Sequence, residues 1–112
     1  MTAYETLLGA LADPTRRLIL ARLRSGPTAV GELARALPIS QPAVSQHLRV
    51  LREAGLVTST PMAQRRLYRL TPEGLQPLRE YLEGFWGDVL DAYAGSFRKG
   101  GRAGKTGKGK AT

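Results

Sequence analysis

The stretch that decides the fold is SQPAVSQHLRVLREAGL, residues Ser40 to Leu56. It starts with a serine, which favours a helix N-terminus, and it closes near Gly55, a residue type that ends helices. At about 100° per residue, Val44, Leu48 and Leu51 fall on one side of a helix. The stretch therefore predicts a short amphipathic helix, the fourth of the chain, with a polar outer side.

The outer side of this fourth helix carries amides, hydroxyls and guanidinium groups and little acid. In a basic protein, such a surface is typical of a helix that enters the major groove of double-stranded DNA. The N-terminal half of such a helix meets base edges, and the rest follows the backbone. The predicted contacts are Gln41, Ser45 and Gln46 to bases, and Ser40, Arg49 and Arg52 to phosphates or the groove edge.

Simpler roles stay open for some of these residues. Ser40 caps the helix whether or not it also contacts DNA. Gln41 can be a solvated residue of the first turn, and Arg52 can pair with Glu53. The one histidine, His47, lies at the border of the two sides, where we favour packing or a local hydrogen bond over a DNA contact or a metal ligand.

Start and stop signals place three helices before the fourth. Thr2 and Glu5 form a capping-box pattern for a first helix over about residues 3–12. Asp13 followed by proline starts a second helix, whose apolar residues lie nearly all round and predict a central position. Thr28 is the predicted cap of a short third helix.

A hairpin and a last helix complete the order. The runs Leu56–Thr60 and Arg66–Leu70 predict two strands joined by residues 61–64, and a helix follows over about residues 72–96. The predicted fold class is mainly α with a small β-hairpin. The order α-α-α-α-β-β-α is that of a winged helix–turn–helix with an extra helix at each end.

The hairpin, which we call the wing, is basic. Gln64, Arg65, Arg66 and Arg69 lie on it or in its turn. A basic wing beside the fourth helix would clamp neighbouring phosphates or enter the minor groove. Arginines that only keep the protein in solution are the less favoured alternative.

The positive charge is unevenly distributed. The formal charge of the 112 residues is +8, of which +2 belongs to residues 1–97 and +6 to residues 98–112. We expect one DNA-binding and dimerisation domain over 1–97 and a disordered tail over 98–112, which has five glycines and no acid. The tail would add phosphate contacts without sequence preference, or would only aid solubility.

Composition also excludes several classes of function. The chain has no cysteine, so it has neither disulfides nor thiolate metal sites. Its first residues have no basic flank before an apolar run, and no run is long enough for a membrane span, so we expect a cytoplasmic protein without a membrane partner. One histidine and no phosphate-binding glycine loop argue against an enzyme, and no cofactor is predicted.

Four segments together resemble the ArsR/SmtB family of bacterial winged-helix repressors. They are LADPTRRLIL at 11–20, GELA at 31–34, SQPAVSQHLRVLREAGLV at 40–57 and YRLTPEG at 68–74. The resemblance extends over about residues 4–97. It implies a homodimer that binds a palindromic operator and represses transcription.

The metal sensing of that family does not carry over in its usual forms. Many members hold metal through cysteines on the third helix, where this chain has AVGELARAL. Others use histidine with carboxylates on the last helix, where Asp88 and Asp91 remain as weak candidates without a histidine nearby. Two alternatives stay open: a repressor that senses Ni, Zn or Co through non-thiolate ligands, and a module that answers to an unknown ligand or protein co-regulator.

The last helix carries more apolar surface than one core face needs. We predict that it pairs with a second copy of the chain, because exposed aromatic side chains would otherwise form an apolar patch. A monomer that buries a wide apolar stripe is the alternative. The predicted interface residues are Leu7, Leu8, Leu11, Phe85, Trp86, Val89 and Tyr93.

Overall fold

The predicted order of helices is confirmed by the computed structural model, which describes residues 1–99, with side chains through residue 96. A short 3-10 turn, Pro72–Leu75, precedes the last helix, which ends at Lys99 rather than near residue 96. The helices are α1 (Ala3–Ala12), α2 (Pro14–Leu23), α3 (Val30–Ala36), α4 (Gln41–Glu53) and α5 (Gln76–Lys99).

Side chains satisfy the backbone at both ends of α1. The Thr2 amide donates to Glu5 Oε1 at 2.9 Å, and the Glu5 amide donates to Thr2 Oγ1 at 3.2 Å, so the capping box is confirmed. At the other end, Arg16 donates to the carbonyls of Gly9 and Ala10, and Arg17 donates to the last two carbonyls of α1. These carbonyls have no partner within the helix, so the two arginines replace the missing turn.

The start of α2 also follows the sequence signal. Asp13 Oδ1 accepts from the amides of Thr15 and Arg16 at 2.7 and 3.2 Å. The predicted central position of α2 holds for only part of its surface, because Leu18 is 49% exposed. Only one side of α2, with Ile19 and Leu23, enters the core.

The predicted cap of α3 is wrong. Ala29, not Thr28, occupies the N-cap position, and its amide donates to Glu32 Oε1 at 3.1 Å. Thr28 and Ala29 form a short strand, β1 (Thr28–Ala29), that pairs with Tyr68 and Leu67. The Thr28 hydroxyl donates to the carbonyl of Gly26 instead of capping the helix.

The described strands form one antiparallel sheet in the order β1-β3-β2. β2 (Val57–Met62) and β3 (Arg65–Leu70) are longer than predicted, so the turn between them contains only Ala63 and Gln64. Pro61 fits in β2 because β2 is an edge strand, where a missing N–H is tolerated. Ala63 has a φ of 59°, the left-handed conformation that a glycine would adopt with less strain.

The core forms where α2, α3 and α4 meet. Val44, Leu48 and Leu51 of α4 are at most 1% exposed, as the predicted apolar stripe requires. Ile19 and Leu33 oppose the stripe and are fully buried. The side of α4 away from these residues is thereby left in solvent.

Contacts divide the chain into two units. The first unit is Met1–Arg79, which contains the sheet and the four preceding helices. The second unit begins at Glu80 and includes the rest of α5. The predicted tail, 98–112, starts within α5, and residues 100–112 lie outside the described residues.

Gly74 marks a close approach of two backbone segments. A Cβ atom on Gly74 would collide with the carbonyl oxygen of Gly55, just after α4. We expect Gly74→Ala to lower the free energy of unfolding by about 1–3 kcal/mol, because backbone must move to admit the methyl group. Urea denaturation followed by circular dichroism measures this change.

Gly9→Ala is the matched control. A Cβ atom at Gly9 meets nothing within 4 Å, and the residue lies in the interior of α1. Alanine there should raise the free energy of unfolding by about 0.5–1 kcal/mol. Equal midpoints for the Gly74 variant and the wild type would show that the close approach does not exist.

Candidate nucleic-acid interface

Helix α4 starts and ends as its sequence predicts. Ser40 Oγ accepts from the amide of Ala43 at 3.2 Å, which confirms Ser40 as the N-cap. Gly55, with a φ of 84°, ends the helix, and the Leu56 amide returns to the carbonyl of Leu51 at 2.9 Å. These contacts satisfy backbone groups at both ends of α4.

The predicted contact residues of α4 share one exposed side. Gln46 and Arg49 are joined on this side, because Arg49 Nη2 donates to Gln46 Oε1 at 3.1 Å. This hydrogen bond limits the rotamers of both side chains before any ligand arrives. The exposed candidates are Ser40, Gln41, Ser45, Gln46, Arg49 and Arg52.

His47 takes part in a local hydrogen bond. Its Nδ1 lies 3.4 Å from Arg16 Nη1, and its side chain is half-buried against α2. Arg16 also lies 3.7 Å from Asp13 Oδ2, so this guanidinium joins α1, the start of α2 and the middle of α4. Of the roles that the sequence leaves open for His47, the structure shows the local hydrogen bond.

The wing presents its basic residues in two ways. Gln64, Arg65 and Arg66 are all exposed. Arg66 Nη1 donates to Ser59 Oγ at 2.8 Å, within the hairpin. Arg65 reaches across to α3, where its Nη1 lies 3.5 Å from Glu32 Oε2. One wing arginine is therefore anchored on the sheet and another on the helix–turn–helix.

An open cleft of about 370 Å³ lies between α3, the start of α4 and the wing. Arg35 enters the site here, although the sequence patterns do not single it out. The cleft carries three arginines and one acid, so its charge attracts anions. Its polar lining residues are Glu32, Arg35, Gln41, Gln64, Arg65 and Arg66.

Two carboxyl groups near the interface have lowered pKa values. The hydrogen bond from the Ala29 amide is the main cause for Glu32; burial opposes it, and Arg65 and Arg35 lower the pKa further. At Asp13, burial raises the pKa, but the hydrogen bonds from the α2 amides outweigh it and the net shift is downward. Both groups are therefore ionised at neutral pH, and they stabilise the fold until the pH falls through their lowered pKa values.

Glu32 is the other site residue that sequence reasoning missed. The signal was present, because Glu32 lies three residues after Ala29, which is the spacing of a capping box. Alanine has no side-chain acceptor, so only one half of the reciprocal arrangement forms. Threonine is a better N-cap residue than alanine, so the sequence favoured Thr28, one residue earlier, as the cap.

The exposed apolar side chains of α5 belong to the second unit. Phe85 is 64% exposed, and its ring lies 5.9 Å from that of Tyr81 and 5.1 Å from that of Trp86, centre to centre. Val89 and Tyr93 are 56% and 63% exposed. The side chains predicted for a dimer interface on this helix are thus accessible in the single chain.

The α1 residues of the predicted interface differ from one another. Leu8 is 46% exposed and Leu11 is half-buried, whereas Leu7 is 1% exposed and belongs to the core. Leu7 is therefore corrected from an interface residue to a core residue, because a side chain without accessible surface has none to offer a partner.

The weak metal candidates are both carboxylates. Asp88 and Asp91 are exposed on α5. Within residues 1–99, no group of three or more His, Cys, Asp or Glu residues has the geometry to hold a metal ion. In the same part of the chain, no helix is long and apolar enough to cross a membrane.

These features define a class of protein. An exposed polar side of a capped helix, held by a buried stripe beside an arginine-bearing hairpin, is the arrangement of a winged helix–turn–helix DNA-binding domain. The family model described as bacterial regulatory protein, arsR family, matches residues 13–59, which contain α2, α3 and α4.

Comparisons with known proteins agree with this class. The chain is 59% identical over 85 residues to the HTH-type transcriptional regulator Rv2034 of Mycobacterium tuberculosis. This alignment covers 76% of this chain and 79% of that protein. The chain is 46% identical over 94 residues to the HTH-type transcriptional repressor SmtB of M. tuberculosis, covering 84% of this chain and 62% of the relative.

A solved structure gives the same result for the fold. The ArsR-like transcriptional regulator from Rhodococcus sp. RHA1 superposes with a TM-score of 0.70 and 27% identity, covering 91% of this chain and 95% of that one. The chain belongs to the ArsR family of bacterial regulatory proteins. It is a DNA-binding transcriptional regulator, and its relatives include proteins named as repressors.

Replacing Ser40 separates its capping role from a role on DNA. Ser40→Ala should lower the free energy of unfolding by about 1 kcal/mol, because the Ala43 amide loses its acceptor. Ser40→Asn keeps the cap and should restore stability, and Ser40→Asp should keep stability while weakening DNA binding through charge repulsion. Thermal unfolding and fluorescence anisotropy on DNA measure the two effects. Full DNA affinity of the aspartate variant would place Ser40 away from the phosphates.

Proposed function

We propose that this protein is a dimeric repressor that binds an inverted-repeat operator without a thiolate metal site. The observation that carries the proposal is the exposed polar side of α4, whose opposite side is held in the core by residues that are at most 1% exposed. Because α4 cannot rotate without exposing that stripe, its amides and guanidinium groups stay directed outward. Such a protein would bind DNA in the cytoplasm and would not act as an enzyme.

Base readout is assigned to the first half of α4. Gln41, Ser45 and Gln46 are exposed there, and glutamine can bridge N6 and N7 of adenine. Arg49 and Arg52, further along the same side, are proposed to bind phosphates. The wing adds Gln64, Arg65 and Arg66 to the adjacent backbone or the minor groove. His47 is proposed to act through its hydrogen bond with Arg16.

Dimerisation would double this surface. The proposed interface consists of the exposed α5 side chains, with Leu8 and Leu11 contributing from α1. A twofold dimer with two α4 helices about 34 Å apart would present them to successive major grooves on one face of DNA. Binding by the dimer would then require an inverted repeat, and bound operator would be closed to transcription.

Gln46→Ala tests direct readout. Loss of a bidentate contact should weaken binding to the selected operator by about 1–3 kcal/mol and relax the preference at one base position. DNA selection from a random library identifies the operator, and anisotropy titration then measures affinity for operator and scrambled duplexes.

The scrambled duplex is the control for that measurement. Binding to scrambled DNA depends on phosphates and should change little, because Gln46 carries no charge. An equal loss on both duplexes would contradict base readout by Gln46. Failure of the wild type to enrich any sequence would contradict the proposed function itself.

Phe85→Glu tests the dimer. A carboxylate in an apolar interface loses its hydration, so the variant should sediment as a monomer of 12.1 kDa while the wild type sediments as a dimer. Asp91→Ala, an exposed change on the same helix, should stay dimeric. The monomeric variant should bind a full operator no better than a half-site. A wild type that sediments as a monomer would reject the proposed interface.

A further inference from the structure

The proposed DNA contacts do not account for the ion pair between Arg65 and Glu32. Arg65 is on the wing at the first position of β3, and Glu32 is on α3. Their charged atoms are 3.5 Å apart, and the two side chains are 55% and 44% exposed. The ion pair lies in the lining of the cleft, where solvent and ions can reach it.

The other carboxylate oxygen of Glu32 is held in place by a backbone hydrogen bond. Its Oε1 accepts the Ala29 amide at 3.1 Å, while Oε2 faces Arg65. Ala29 itself is paired with Leu67 of β3. The sheet therefore fixes the position of the Glu32 carboxylate relative to the wing. The backbone hydrogen bond and the two nearby arginines lower the pKa of Glu32, which keeps it charged at neutral pH.

A carboxylate in this position offers arginine anionic oxygen acceptors, as a phosphate does. Arginine binds carboxylate and phosphate oxygens in the same way. Arg65 in the free protein therefore already has an anionic partner, while Arg35 lines the same cleft. A DNA phosphate that enters the cleft competes with Glu32 for Arg65 Nη1 and must approach the negative charge of Glu32.

We infer that Glu32 is a specificity-determining residue that occupies Arg65 and thereby weakens binding to DNA without the operator sequence. This inference rests on the proposed function, because it concerns the same DNA-binding surface. On scrambled DNA, phosphates alone must displace Glu32, and an exposed ion pair is weak enough to reduce that binding without preventing it. On the operator, the base contacts of α4 fix the duplex where the other N–H groups of Arg65 can reach a phosphate, so the Arg65–Glu32 pair does not have to break there.

The experiment compares Glu32→Gln with the wild type in full-length protein on two duplexes, the selected operator and a scrambled sequence. Glutamine keeps an oxygen for the Ala29 amide and removes the charge. We expect affinity for the scrambled duplex to rise severalfold, with a smaller rise on the operator, so the ratio of the two affinities falls. One additional phosphate contact should make the logarithmic salt slope more negative by about 0.9. The gain should therefore shrink by about 3.5-fold between about 50 and about 200 mM salt.

Two controls separate this effect from net charge. Glu73→Gln removes the same charge from an exposed residue that does not line the cleft, and it should change the scrambled-DNA affinity less. In an Arg65→Gln background, Glu32→Gln should have no larger effect than Glu73→Gln, because the arginine that forms the ion pair with Glu32 is gone. Thermal unfolding verifies that each variant is folded.

Several outcomes would overturn the inference. One is an equal change from the glutamine variants of Glu32 and Glu73, and another is a full Glu32 effect without Arg65. If Glu32→Gln does not fold, Glu32→Asp serves instead, because it keeps the charge and shortens the reach; a steeper salt slope supports the inference and an unchanged slope rejects it. Absence of operator preference in the wild type would contradict the proposed function, whereas the Glu32 effect is measured separately on scrambled DNA.

Discussion

The buried stripe of α4 is the constraint on which the rest of the structure depends. Val44, Leu48 and Leu51 are at most 1% exposed, and burying each of them stabilises the fold by about 1.5–3 kcal/mol. A helix has one rotation at which all three can be buried together, and that rotation directs Gln46 and Arg49 into solvent. Core packing thus sets which chemical groups α4 presents at its surface.

Features formed by residues close together in the sequence could be predicted, whereas features formed by distant residues could not. The caps of α1, α2 and α4 were predictable because Thr2, Asp13 and Ser40 act within three residues of themselves. β1 was not, since its two residues become a strand only by pairing with β3, almost forty positions later in the chain. The wrong cap at Thr28 has the same origin: pairing with Tyr68 takes the residue out of the helix start. The outward side of α4 was predictable, whereas the cleft, Arg35 and the pairing of Glu32 needed three dimensions.

Net charge is a poor guide to this interface. Residues 1–97 carry a formal charge of only +2, yet the cleft beside α4 gathers three arginines and a single acid. Local concentration of charge, more than its sum, determines where a polyanion first meets the surface. The position of the one acid is then as informative as the arginines, because a carboxylate within reach of Arg65 changes what that arginine has available for DNA.

Arg16 shows how a polar contact complements the apolar stripe. Its guanidinium donates to two carbonyls at the end of α1, lies near Asp13 and reaches His47 in the middle of α4. The apolar stripe is non-directional and allows small sliding of one helix on another, whereas hydrogen bonds have a preferred distance and angle. A part-buried arginine with this many fixed partners therefore sets the position of α4 along its neighbours, just as the stripe sets its rotation. The base readout that we propose would depend on both, because a side chain that faces the groove at the wrong height would meet the wrong base pair.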